Sequence, residues 1–143
     1  MKLKLFIVSL VIICLTIVGF RAQAPSVSND TTKLAVVWSS GDPEVAEKVC
    51  FMYTHAAKRA KWFDEVVLIV WGPSAKLLSE NEMLQKKIQS MAKDGVKIEA
   101  CIACASMYGQ DVVEKLKDLG IDVKGMGTPL SNYLKNNWKT LTF

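Results

Sequence analysis

Histidine is nearly missing from this sequence: His55 is the single one in 143 residues. An imidazole-based triad would have to use that one side chain, which lies well along a helical segment and not at a strand end. Basic runs are missing as well. Lys2, Lys4 and Arg21 supply three of the four excess positive charges, so residues 25–143 carry an excess of one. The basic composition is therefore no sign of a nucleic-acid partner. Neither G-x-G-x-x-G nor a Walker pattern occurs, and the loop Ser39-Ser40-Gly41 has a single glycine. A nucleotide cradle is not expected. An anion could rest only beside Ser39 and Ser40 or at the helix start of Asp42, whose own carboxylate repels it. Cysteine is scarce, with Cys14, Cys50, Cys101 and Cys104. That is too few for a disulfide framework, and half the residues are hydrophobic, enough to build a core without one. Internal repeats and low-complexity tracts are absent from the sequence.

What is present begins with an amino-terminal targeting pattern. Lys2 and Lys4 precede an apolar run, Leu5 to Phe20, and Ala22-Gln23-Ala24 offers small residues for cleavage. Residues 1–24 read as an export signal. An uncleaved anchor is the alternative, although the run is shorter than the roughly 20 residues of a membrane span. Cys14 follows Ile13 and does not resemble a lipidation site. Export implies a periplasmic or otherwise extracytoplasmic setting, where disulfides form and persist. Contact with a membrane is expected only through this segment, if it stays uncleaved.

Residues 25–33 (PSVSNDTTK) are polar and read as a linker. Residues 34–143 then alternate strand and helix patterns. The apolar runs 34–38 (LAVVW) and 65–71 (EVVLIVW) predict buried, central strands. Strand 96–100 alternates Val96, Ile98 and Ala100 with Lys97 and Glu99, which predicts shallower burial. Further strands are expected at 121–124 and 138–143. Asp42-Pro43-Glu44 is a helix start: an N-cap, a proline at the first position and an acid in the first turn. That helix should reach about Lys61. Others are expected at 74–79, 81–93, 110–119 and 128–136. The alternation predicts a three-layer α/β/α domain with a five-stranded, mostly parallel sheet joined by right-handed crossovers. Ligands of such sheets sit at the carboxyl ends of the strands. Here those ends are residues 39–41, 72–74, 101–109 and 125–127.

The segment Gly95 to Gly109, GVKIEACIACASMYG, is the informative one. The third strand delivers Cys101 to the ligand edge, and Cys104 follows in a small-residue loop. Backbone N–H groups there favour the thiolate, the nucleophilic form. Two inert thiols or a passive disulfide would leave the same pattern. A thioredoxin-like motif fits less well, because the pair follows the third strand and holds no proline. As zinc ligands the two thiols are half a site. Cys50 and His55 are the other soft donors, and five residues at about 100° each set them roughly 140° apart on a helix. No metal and no cofactor is expected. Trp38, Trp71, Met107 and Tyr108 fall near the ligand edge and read as core or pocket lining.

The same segment resembles the DsrE/DsrF-like family, which includes the TusD-type sulfur-relay subunits. LAVVWSSGDPEVAEKV resembles the family's first strand, loop and helix. VVLIVWGPSAKLL resembles its second strand and turn, and WKTLTF its last strand. The resemblance implies that Cys101 stands where relay members carry a persulfide, and that Cys104 matches a second cysteine of some members. It also implies a homo-oligomer, a trimer or hexamer. On the first helix, Phe51, His55, Lys58 and Trp62 form one stripe and Val45, Val49, Met52 and Ala56 another, which reads equally as one facing the sheet and one a second subunit, or as a single wide sheet-facing stripe. The expected function is that of an extracytoplasmic thiol protein that carries or exchanges sulfur through a persulfide or disulfide at Cys101 and Cys104. Its sulfur donor and acceptor are not legible. The alternative is a non-catalytic oligomeric binding or assembly protein on the same fold.

Overall fold

The computed structural model describes residues 31–143. The export signal expected at residues 1–24, with Cys14 and the first part of the expected linker, lies outside the described residues. No helix among the described residues is long and apolar enough to cross a membrane. Thr32 is already tied to the domain: its amide and hydroxyl donate to the Asp64 carboxylate at 2.7 and 2.9 Å.

Five strands form one sheet: β1 (Lys33–Trp38), β2 (Glu65–Val70), β3 (Lys97–Cys101), β4 (Asp122–Lys124) and β5 (Lys139–Thr142). Their order is β4-β3-β2-β1-β5, and every pairing is parallel. The expected α/β/α sheet is thus present, with β2 in the middle. The first helix, α1, opens with Pro43–Val45, passes through a π-helical stretch Ala46–Phe51 and ends as Met52–Arg59. The others are α2 (Pro73–Glu80), α3 (Glu82–Lys93), α4 (Ile102–Ser106), α5 (Gln110–Asp118) and α6 (Gly127–Lys135).

Strand order decides how the helices are shared out. From β1 through β4 the chain always steps the same way across the sheet. Right-handed crossovers then put every connecting helix on one face. The return from β4 to β5 runs the opposite way and places α6 on the other. The two apolar clusters follow this division. Leu34, Val36, Trp38, Val66, Leu68, Val70, Ile98 and Ala100 pack against α1 to α5. Ala35, Val37, Val67, Ile69 and Cys101 face α6, with Met126, Leu130, Tyr133 and Trp138. The alternation is the two-residue period of a strand. Burying a side chain such as Leu68 stabilises by about 1.5–3 kcal/mol.

The start of α1 is built as the sequence predicts. The Asp42 carboxylate accepts from the Glu44 and Val45 amides at 2.7 and 3.2 Å, and Pro43 occupies the first helical position. The two stripes expected on α1 are not found. Its sheet-facing residues are Ala46, Cys50, Thr54 and Ala57, joined by Phe51. His55, Ala56 and Lys58 are only half-buried, and Met52 and Trp62 are exposed. The buried positions from Ala46 onward recur at steps of four, four and three, the ordinary helical period, and their stripe starts one residue round from that of Val45, Val49, Met52 and Ala56. Trp62 is not bare either: its ring lies 5.9 Å from that of Tyr53.

Candidate functional site

Cys101 is the last residue of β3 and the N-cap of α4, with extended backbone angles. The expected small-residue loop is in fact this short helix. The turn aims the Cys104 amide back at Cys101, and it donates to the sulfur at 3.4 Å. Small residues permit the tight packing: Ala105 is fully buried against α2 and α5. The two thiols differ in access. Cys101 is 4% exposed and Cys104 is partly exposed. Burial raises the pKa of Cys104, and its hydrogen bond to Cys101 raises it further, while the Gly72 amide, donating to its sulfur, works the other way. Gly72 has φ of +68°, a conformation that favours glycine, and this lets the chain turn sharply from β2 into α2 beside the thiols.

Cys50 lies on the opposite face. It is fully buried, and burial pushes its pKa up to about 12 although a Thr54 hydrogen bond opposes the rise. It is inert at neutral pH. His55 shares a 2.6 Å hydrogen bond with Asp94, with Arg59 3.9 Å from the same carboxylate. Neither Cys50 nor His55 joins the thiol pair, and no group of three or more possible ligands is clustered for a metal among the described residues. Trp71 packs into the cluster around Cys101, whereas Trp38 points to the other face and meets Phe51 edge-on at 4.8 Å. Met107 is 86% exposed at the rim. The Ser39 and Ser40 amides are both occupied by the Phe143 carbonyl, at 2.7 and 3.1 Å. They are not free to hold an anion.

One group of residues beside the thiols was not expected. Glu99 is completely buried, against the shallow setting the alternation of β3 suggested. Lys97 lies 2.5 Å and Lys124 2.9 Å from its carboxylate, and the Tyr133 hydroxyl donates to both oxygens at 3.0 Å. Burial alone would raise the Glu99 pKa. The bonds from Lys97, Lys124 and Tyr133 outweigh it and hold the carboxyl below its ordinary value. Tyr133 is shifted upward, first by burial and then by the carboxylate it serves. Glu99 precedes Cys101 by two residues and so shares its face, and Cys101 stands in register with Lys124 on β4. The period of two that brought Cys101 to this face also carried Glu99 there. That was the available signal.

The family model described as the DsrE/DsrF-like family matches residues 32–143. Among solved structures, that of a conserved protein of unknown function from Bacteroides thetaiotaomicron is similar, at 33% sequence identity and a TM-score of 0.73. The match covers 78% of this chain and 94% of that one. Comparison with curated proteins gives no significant match.

Proposed function

This chain belongs to the DsrE/DsrF-like family, which is linked to sulfur relay, and from that premise we propose that it carries or exchanges sulfur through Cys101, with Cys104 as the resolving thiol. The observation that supports this most is the Cys104 amide aimed at the Cys101 sulfur at the carboxyl end of β3. A backbone donor there stabilises negative charge on sulfur, in a thiolate or a persulfide anion alike.

The loading step is an attack of the Cys101 thiolate on the outer sulfur of a donor persulfide or polysulfide. The donor's S–S bond breaks, a new one forms on Cys101, and the donor leaves as a thiolate. An acceptor thiolate then takes the outer sulfur by the same exchange and restores Cys101. In the alternative exit the Cys104 thiolate attacks the inner sulfur of the Cys101 persulfide. Hydrosulfide leaves, carrying the two electrons that the two cysteines lose in becoming a disulfide. A dithiol reductant must reopen that bond. In delivery to the acceptor the leaving sulfur is that of Cys101, and its charge is borne where a donor already points.

We place the protein outside the cytoplasm as a homo-oligomer, a trimer or hexamer. The amino-terminal pattern supports export, and exposed Val49 and Met52 on α1 support a covered face. A second reading, a non-catalytic binding or assembly protein, is favoured by one observation, the 4% exposure of Cys101. Treatment of the reduced protein with polysulfide, followed by mass spectrometry, separates the two. One sulfur atom should be gained at Cys101. Cys101→Ser should abolish loading, and Cys104→Ser should keep it while preventing the intramolecular disulfide. Loading that survives Cys101→Ser would overturn the sulfur reading.

A further inference from the structure

Cys101 is carried to the ligand edge of the sheet and then covered. Its cover is α6 with the residues around it: Met126, Leu130, Tyr133, Trp138 and Trp71. α6 is an unusual cover. It is the one helix on its face among the described residues, and none of its own residues is buried. Gly125 and Met126 precede it, Gly127 is its first residue, and Asn137, with φ of +60°, follows it. Both ends are thus short, turning segments. Among the described residues, Tyr133 is the side chain that ties α6 to the sheet by hydrogen bonds, to Glu99 at 3.0 Å and also to Lys97.

The Glu99 cluster is poorly accounted for by stability. A buried ion pair replaced by well-packed apolar residues is often as stable or more so, because removing the charges from water offsets their attraction. Lys97 and Lys124 already neutralise Glu99. The phenol adds a directional tie that reaches from the lid to the strand bearing the thiol.

We propose that α6 is a lid over Cys101, that the Tyr133 hydroxyl is its latch, and that Glu99 is the positioning residue that holds the latch. The proposal rests on the thiol reading above and deepens it. With the lid closed, Cys104 presents the pair to solvent and Cys101 is closed to bulky partners. With Tyr133 released, α6 swings on its glycine and asparagine ends and a macromolecular thiol reaches Cys101. Small sulfur species enter by the Cys104 side, and delivery to a protein acceptor requires the open lid.

The test is the rate at which each cysteine of the reduced protein is alkylated by N-ethylmaleimide and by a maleimide bearing a polyethylene glycol chain, read peptide by peptide. Tyr133→Phe removes the latch and leaves Glu99 paired to both lysines, so the fold is not left with a bare buried charge. The bulky reagent should label Cys101 about tenfold faster in this variant, the factor for one hydrogen bond to a charged group. Cys104 should change less than twofold. Cys50, buried on the opposite face, reports general loosening and should stay unlabelled. Unchanged Cys101 labelling in Tyr133→Phe would overturn the latch, and so would a rise in Cys50 labelling in step with Cys101. The labelling needs no sulfur. A protein that opens selectively yet never loads sulfur would keep the lid and refute the sulfur reading.

Discussion

The two faces of the sheet were built to different rules. Among the described residues, one face carries five helices, and its cluster is apolar from Leu34 to Ile121. Its one cysteine, Cys50, is a packing residue with its pKa pushed up to about 12. The other face carries one short helix with no buried residue of its own, and beneath it a thiol pair and a carboxylate with three donors. The lesson is that burial alone does not define a cysteine's role. Cys50 and Cys101 are both buried. One is sealed by a core, the other by a cover that is tied down through a polar contact.

The largest effect that can test this contrast is a cavity in the five-helix core. Leu68→Ala should cost about 2–5 kcal/mol in denaturant unfolding. Cys50 and Cys101 should then become labelled together, through global unfolding, unlike the selective opening expected of Tyr133→Phe. Labelling of Cys101 alone would show that the two faces open independently even under a core defect.

A smaller effect is expected at Glu99. Glu99→Gln should cost about 1–3 kcal/mol, less than the 3–5 kcal/mol of a fully buried broken pair. Lys97 and Lys124, 59% and 34% exposed, can turn to water. The pH dependence has a definite sign. The folded-state pKa of Glu99 is depressed, so its contribution is complete above the ordinary carboxylate value of about 4.3. It is lost as pH falls from there through the lower folded value. Wild type should lose stability across that acid window more steeply than Glu99→Gln, as followed by melting temperature against pH. Parallel acid profiles would mean that the carboxylate is not held as the geometry implies. Smallest of all is the rim: Met107→Ala, at an 86% exposed side chain, should change stability by no more than about 0.5 kcal/mol.

The strands were legible because 34–38 and 65–71 are continuous apolar runs, and a run of that length bounded by turn residues has few other uses. The placement of Cys101 followed from the same register. Three things were not legible. The sheet-facing side of α1 is carried by the small residues Ala46, Cys50, Thr54 and Ala57, which a search for large apolar side chains passes over in favour of Val49 and Met52. Glu99 looked like a solvent-facing charge, because its partners Lys124 and Tyr133 are supplied from 25 and 34 residues away. The short helix α4 was hidden because at five residues it is too short to show a helical period.

The strand order also fixes when the thiol is sealed. The chain is made from its amino end, and β1 to β4 with α1 to α5 precede residue 127. That much can condense as an open sheet with one finished core and one raw side. β5 must then return past three strands to pair with β1, Leu34 meeting Lys139, a contact between nearly opposite ends of the domain. Closing so long a loop costs entropy before any contact rewards it. The final segment thus has a chemical consequence: without α6 and β5 the thiol of Cys101 would lie on a half-covered sheet, and the docking that completes the fold is also what takes it out of solvent.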